Sequence, residues 1–128
     1  MKILLDTHIL IWAMVGSEKL SARARALLTD GANEFHFSAA SLWEIALKHS
    51  RAPAAIPVTP AQVQAYCLDC GIRPLPVAFL HAAGVANLPP IHADPFDRML
   101  VSQAKTDGLL LLTHDGHLSA YGVFVMPV

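Results

Sequence analysis

The chain is poor in cysteine. It has 128 residues and only two cysteines, which are too few for a disulfide framework. Cys67 and Cys70 form a C-x-x-C at the end of a predicted helix over residues 59–70, whereas a thioredoxin-type motif opens a helix directly after a strand. A zinc site would need further ligands at matching spacings. We therefore expect two small, partly buried thiols and neither a redox nor a zinc site.

Charge is also scarce, and it is nearly balanced. Charged residues make up 15% of the chain and the net charge is −1. No overall positive field indicates a nucleic-acid binder, so any such contact has to come from a local patch. Hydrophobic residues make up 54%, which excludes disorder and predicts one well-packed domain over residues 1–128.

Long apolar runs are missing too. Residues 1–15 are largely apolar after Lys2, but Asp6 and His8 interrupt them and no small-residue cleavage site follows. This pattern argues against a secretion signal, and no apolar stretch is long enough to span a bilayer. We expect a cytoplasmic protein with no membrane partner.

Short apolar runs alternate instead with helical segments. Ser21, Ser38 and Thr59 are suited to capping helices, and Pro60 to a first helical position. Strands are predicted over residues 2–5, 35–37, 72–75, 109–112 and 123–126, and helices over 7–15, 21–28, 38–50, 59–70, 78–86 and 94–107. This alternation predicts an α/β domain with a mainly parallel central sheet.

Two acids follow predicted strands. Asp6 comes directly after the first strand, and Asp115 comes just after the strand near residues 109–113. Ligands of open parallel sheets bind beyond the carboxyl ends of the strands, so neighbouring strands would bring both carboxylates into one crevice. Each acid also has an ordinary structural role open to it, Asp6 as a helix cap and Asp115-Gly116 as a turn.

Glu44 is the only acid within residues 38–48, a run rich in apolar side chains. An ionised carboxylate beside so much apolar surface needs a partner. Lys48 lies four residues on, in the orientation that favours a helical ion pair. Such a pair contributes only about 0.3–0.5 kcal/mol when exposed, so it does not by itself explain the choice of Glu. A structural and a functional role both stay open.

Residues 92–98 contain two acids with different prospects. Asp94 is well placed as the cap before Pro95, and Arg98 is its expected partner four residues later. Asp97 has no basic residue four positions on, and its only structural role would be a capping-box contact with the backbone of Asp94. Asp97 is therefore the better metal ligand, with Asp94 supporting it.

Carboxylates that converge need a cation. Like charges ~4 Å apart at a partly exposed site repel by roughly 4 kcal/mol per pair, so such acids raise one another's pKa or bind a positive ion. Ligands that are all oxygen select magnesium or manganese over zinc. Such an ion can activate water and neutralise charge on a phosphate, which suits phosphodiester hydrolysis.

Four segments of the chain match a known family in order and spacing. They are Lys2-Ile3-Leu4-Leu5-Asp6-Thr7-His8, Ser38-Ala39-Ala40-Ser41-Leu42-Trp43-Glu44-Ile45, His92-Ala93-Asp94-Pro95-Phe96-Asp97-Arg98-Met99-Leu100 and Leu112-Thr113-His114-Asp115. Together they resemble the PIN domain of the VapC toxin type, over essentially the whole chain. The resemblance implies a three-layer α/β/α fold and a metal-dependent endoribonuclease.

The resemblance also assigns site residues. The family's four acids map onto Asp6, Glu44, Asp97 and Asp115, and Asp94, only one helical turn from Asp97, is the alternative third metal ligand. It implies Mg²⁺, with Mn²⁺ as a substitute, bound by Asp6, Asp97 and Asp115. Glu44 would bind the metal or orient the attacking water.

The same resemblance implies an RNA substrate, a cognate antitoxin and a homodimer. The cations nearest to the acids in sequence are Lys48, Arg51 and Arg98. We therefore take them as candidates to hold RNA.

Other functions fit the same residues less well. A haloacid-dehalogenase-type phosphatase needs a second acid where His8 stands, and a receiver domain needs an Asp where Ser38 stands. A transition-metal site assisted by His8, His114 and His117 is disfavoured, since scattered histidines are mostly ordinary residues. The alternative that stays open is an RNA- or partner-binding module with an intact acidic pocket but little turnover.

Overall fold

The computed structural model describes all 128 residues. Its centre is a five-stranded sheet in the order β3-β2-β1-β4-β5, and every neighbouring pair of strands is parallel. The strands are β1 Lys2–Leu5, β2 Glu34–Ser38, β3 Arg73–Leu75, β4 Leu110–Thr113 and β5 Val125–Pro127. β1 thus lies in the middle, with β2 on one side and β4 on the other.

Helices connect the strands. They are α1 Thr7–Val15, α2 Ala22–Thr29, α3 Ala39–Arg51, α4 Pro60–Cys70, α5 Phe79–Gly84 and α6 Pro95–Asp107, with 3₁₀ segments at Val85–Asn87 and Gly116–Tyr121. No helix has the length and hydrophobicity that crossing a membrane requires.

The sheet is buried on both faces, which makes three layers. Successive side chains of a strand point to opposite faces. Ile3 and Leu5 accordingly pack in one core with residues of α1 to α4, and Leu4 packs in a second core with α6 and the 3₁₀ segment at Gly116–Tyr121. This double burial explains why β1 is a continuous apolar run rather than an alternating one. The predicted α/β/α fold with a parallel sheet is confirmed.

Local capping chemistry sets most helix boundaries. The Oγ of Ser21 and of Ser38 accept backbone N–H bonds from their helices, and Thr59 forms a capping box with Gln62. α1 ends where Gly16 adopts φ 65, a left-handed conformation that a residue without Cβ adopts at no steric cost.

Several element boundaries differ from the sequence-based prediction, mostly by one or two residues. α2 ends at Thr29, one residue beyond the predicted end, and Asp30 is its C-cap. β4 is shifted by one residue because Leu109 belongs to the turn that follows Gly108. The predicted helix over 78–86 divides into α5 and a 3₁₀ turn, and the 3₁₀ segment at Gly116–Tyr121 was not predicted. These segments lack the apolar periodicity that a sequence pattern can detect.

The two cysteines differ in exposure. Cys67 is buried and Cys70 is exposed, and both are free thiols. Burial raises the pKa of the Cys67 thiol, which disfavours the reactive thiolate. The expectation of partly buried thiols therefore holds for Cys67 and is wrong for Cys70.

Candidate metal centre at the ends of the central strands

The acids lie beyond the carboxyl ends of β1 and β4, which are neighbours. Leu5 pairs with Leu112 in the parallel register, so Asp6 and Thr113 follow at the same edge of the sheet. Asp115 lies two residues after the end of β4 and caps the 3₁₀ segment Gly116–Tyr121. Asp6 and Asp115 therefore follow adjacent strands at the same edge of the sheet, the arrangement that the sequence predicted for these two positions.

Asp6 is buried and has donors on both oxygens. Its Oδ1 accepts the backbone N–H of Ile9 at 2.9 Å and so caps α1. Its Oδ2 accepts the hydroxyl of Thr113 at 2.5 Å and the backbone N–H of His114 at 3.3 Å. The capping role and the site role thus belong to different oxygens of one carboxylate.

Glu44 is also buried and also has a partner on each oxygen. The hydroxyl of Thr7 donates to Oε1 at 2.6 Å, and Lys48 forms an ion pair with Oε2. Burial lowers the pKa of Lys48, but the hydrogen bond to Glu44 and the attraction of Glu44, Asp94 and Asp97 outweigh it, so the pKa lies above its ordinary value. Lys48 therefore remains a cation beside the acids.

Asp94 and Asp97 differ in their hydrogen bonding at the start of α6. Asp94 Oδ1 caps the helix by accepting the N–H of Phe96 at 2.8 Å and of Asp97 at 3.1 Å. The side chain of Asp97 accepts no hydrogen bond from the protein, and its nearest basic atom is His92 Nε2 at 3.8 Å. The capping-box contact considered for Asp97 is absent, since the N–H of Asp94 donates to His92 Nδ1.

Asp115 is held from two sides. Its Oδ1 accepts the backbone N–H of His117 at 2.9 Å, and its Oδ2 lies 3.0 Å from His92 Nε2. The candidate ligand atoms of His92, Asp97 and Asp115 all lie within 4.8 Å of one another. Asp97 and Asp115 thus lie close together with a histidine between them, whereas Asp6 and Glu44 are not part of this group.

The two meeting carboxylates differ in charge preference. Burial, followed by the charges of Asp94 and Asp6, raises the pKa of Asp97 to about 7. Burial acts in the same direction on Asp115, but its bonds with His117 and His92 prevail and hold its pKa below the ordinary value. Of these two carboxylates, Asp97 is the one for which ionisation is costly in the metal-free protein.

Three histidines that the sequence placed near the acids have different surroundings. His114 Nδ1 lies 3.2 Å from Asp6 Oδ2, and this bond raises the pKa of His114. His8 packs against the rings of Trp12 and His114, and burial lowers the pKa of His8. The ring of His117 is 89% exposed.

The candidate RNA-binding cations also differ. Lys48 is tied to Glu44 and lies 5.6 Å from the centre of the Phe96 ring. Arg51 is exposed at the end of α3. Arg98 donates to Pro89 O, Val85 O and Tyr121 Oη. The ion pair expected between Arg98 and Asp94 is absent, because the guanidinium holds the loop before α6 instead.

Sequence reasoning missed three polar residues of the site. Thr7 and Thr113 orient Glu44 and Asp6, and His92 bridges Asp115 and Asp97. The position of each residue in the sequence indicated that it could lie near the acids. Thr7 follows Asp6, Thr113 ends β4, and His92 lies two residues before the helix cap Asp94. Only the packed sheet shows that they converge.

The donor set fits a hard divalent cation. Carboxylate oxygens are the ligands that Mg²⁺ and Mn²⁺ prefer. Asp97 lacks a protein donor and is surrounded by the charges of Asp94, Asp6 and Glu44, so a bound cation would offset the repulsion. Asp97 and Asp115 are the residues best placed to hold it, with Asp6 beside them.

The comparisons with known proteins agree with this geometry. The chain belongs to the PIN-domain family, whose sequence model matches residues 3–123. No functionally curated protein matches the sequence. The resemblance to a PIN domain inferred from the four segments is thereby confirmed.

Several solved structures share the fold. VapBC2 from Rickettsia felis, bound to a DNA fragment from its promoter, is 13% identical, with 100% of this chain and 98% of that chain covered and a TM-score of 0.71. DNA-bound VapBC from Salmonella typhimurium is 18% identical, with coverages of 99% and 98% and a TM-score of 0.65.

A further similar structure is that of a VapC toxin. VapC20 from Mycobacterium tuberculosis, described as a toxin that cleaves the sarcin–ricin loop, is 21% identical, with coverages of 98% and 99% and a TM-score of 0.62. At these identities the likeness concerns the fold.

Proposed function

We propose that this protein is a magnesium-dependent endoribonuclease that hydrolyses RNA phosphodiester bonds, and that it is the toxin of a toxin–antitoxin pair. The observation that carries the proposal is the Asp97 carboxylate, which has no protein donor and lies among other acids at the carboxyl end of the sheet. The PIN-domain match supports the same reaction class.

The metal would be held by Asp97, Asp115 and Asp6, with Mn²⁺ as a substitute for Mg²⁺. When bound, the cation would act as a Lewis acid towards a phosphate oxygen and lower the pKa of a water molecule. Glu44, whose Oε1 is oriented by Thr7, is placed to bind the metal or to orient the attacking water. Asp94 would act from behind Asp97 by fixing the start of α6.

The RNA backbone would be held by cations at the crevice. Lys48 is close enough to Asp94 and Asp97 for their charges to raise its pKa. Arg51 is an exposed cation three residues further along α3. Arg98 has four hydrogen bonds, with the segment before α6 and with Tyr121. We therefore assign its contribution to RNA binding to the placement of that loop.

We also propose a cognate antitoxin, a homodimer and action in the cytoplasm. Support comes from the similar structures, two of which are VapBC structures bound to DNA. Trp43, Phe79 and Leu80 are exposed apolar side chains, which a protein partner would remove from water.

The test is cleavage of a labelled pool of structured RNAs by purified protein freed of any bound partner. Reactions contain Mg²⁺, Mn²⁺ or EDTA, and compare the wild type with Asp97→Asn and with Asp69→Asn, an exposed acid on α4. We expect metal-dependent cleavage that falls in Asp97→Asn by more than the roughly 10–100-fold typical for loss of a residue that only supports a metal ligand, and that is unchanged in Asp69→Asn. Metal-dependent RNA binding without turnover would support the binding module instead.

A further inference from the structure

His92 occupies an unassigned position between two acids of the site. It lies in the loop before α6, and its ring is 23% exposed. Its Nε2 is 3.0 Å from Asp115 Oδ2 and 3.8 Å from Asp97 Oδ2. A ring nitrogen in that place can either ligate a metal or donate a hydrogen bond to the carboxylates that do.

The partner of the other ring nitrogen decides between these roles. The backbone N–H of Asp94 donates to His92 Nδ1 at 3.2 Å. A backbone N–H can only donate, so Nδ1 must offer a lone pair, and the proton of the neutral imidazole is on Nε2. Metal ligation by Nε2 would move that proton to Nδ1, where it would face the N–H of Asp94.

The loop holds the imidazole in place. Tyr121 Oη accepts the backbone N–H of His92 at 3.0 Å and a guanidinium N–H of Arg98 at 3.1 Å. Arg98 also donates to the carbonyls of Pro89 and Val85. The backbone at His92 is thus tied to α6 and to the end of the 3₁₀ segment that Asp115 caps.

We propose that His92 is a positioning residue that holds Asp115 for metal binding through its Nε2–H and does not itself ligate the metal. The inference rests on the proposed function and names a residue that serves the same site. Asp115 Oδ1 accepts the backbone N–H of His117 and lies 3.3 Å from His117 Nδ1, whereas Oδ2 has His92 Nε2 as its one protein partner. Oδ2 therefore keeps a lone pair for a cation shared with Asp97.

The first test measures Mn²⁺ affinity by electron paramagnetic resonance in the wild type, His92→Leu and His92→Gln. Loss of a hydrogen bond to a metal ligand typically costs 10–100-fold in affinity, so we expect a loss of about that size in His92→Leu. His92→Gln should recover most of it, because its amide N–H can replace the donor. His36→Leu is the matched control, since its Nε2 has no partner and it lies on β2 away from the acids.

The outcomes separate this inference from the proposed function. Absence of Mn²⁺ binding by the wild type would overturn both. Wild-type binding with unchanged affinity in a folded His92→Leu would overturn only the role of His92. Equal losses in His92→Leu and His92→Gln would also contradict a donor role.

A second measurement needs no variant. Pulsed electron paramagnetic resonance of Mn²⁺ bound to the wild type reports whether a ¹⁴N nucleus is directly bonded to the metal. We expect no directly bonded nitrogen. The strong coupling of an imidazole ligand would overturn the proposal and make His92 a metal ligand.

Discussion

The two halves of the acidic site differ in how their carboxylates are satisfied. Asp6 and Glu44 are buried, and each of their four oxygens has a protein partner: Ile9 N–H, the two threonine hydroxyls or Lys48. In the other half, Asp115 has donors on both oxygens, while Asp97 has none. In the first half every carboxylate oxygen has a partner within the chain, whereas in the second half the Asp97 carboxylate has no donor.

This difference shows how a small chain can prepare a charged site without metal. Buried carboxylates are tolerated when they are hydrogen-bonded, and the threonines and the helix cap meet that need for Asp6 and Glu44. Leaving Asp97 unpaired concentrates the electrostatic cost on one group. A cation would relieve it there, so the fold pre-positions the ligands and the metal completes them.

The largest effect on stability should come from removing the Asp97 carboxylate, which has no hydrogen-bond donor from the protein. A pKa raised from 3.8 to about 7 corresponds to an upper bound of about 4 kcal/mol. Folded Asp97 keeps its proton up to near pH 7, and the unfolded chain releases it near 3.8. This group therefore makes folding less stable as the pH rises through that window.

We accordingly expect metal-free Asp97→Asn to unfold at higher denaturant concentration than the wild type at about pH 8, with the difference vanishing near pH 3. Asp69→Asn should show no such gain. A folded Asp97→Asn that is no more stable at the higher pH would mean that Asp97 ionises without cost.

Removing a hydrogen-bonded carboxylate should instead lower the stability of the protein. Asp6→Ala removes the acceptor of the Ile9 N–H and of the Thr113 hydroxyl, whereas Asp6→Asn keeps the capping oxygen. We expect Asp6→Ala to be about 1–2 kcal/mol less stable than Asp6→Asn, with cleavage lost in both. Thermal unfolding measures the first difference. Equal stability of the two variants would show that the cap contributes little.

The smallest effect should come from the surface cation Arg51. Removing one phosphate contact reduces the salt dependence of RNA affinity by about one charge, and a surface substitution changes stability by less than about 0.5 kcal/mol. We expect Arg51→Ala to weaken RNA binding in EDTA, and Arg23→Ala, an exposed cation on α2, to leave it unchanged. Fluorescence anisotropy at several salt concentrations checks this.

Much of the fold follows from local chemistry that a sequence displays. Ser21, Ser38 and Thr59 cap helices where predicted, because capping depends on residues two or three positions apart. β1 was predicted with its observed bounds, since a doubly buried strand is a continuous apolar run.

The site was harder to predict because it depends on contacts far apart in sequence. The adjacency of β1 and β4 brings Asp6 to Thr113, 107 positions away, and no local pattern encodes that pairing. The prediction of an Asp94–Arg98 ion pair was wrong because the carbonyls of Pro89 and Val85 accept the hydrogen bonds of the guanidinium. His92 was missed because its role depends on which atoms face each of its ring nitrogens.

The most direct test of the unpaired half is the titration of the Asp97 side-chain carboxyl by carbon-detected NMR, with and without Mg²⁺. We expect a pKa of about 7 without metal, and a marked fall when Mg²⁺ is added, because the bound cation favours the carboxylate. An Asp97 carboxyl that titrates near its ordinary 3.8 in both samples would contradict the claim that this half of the site awaits a cation.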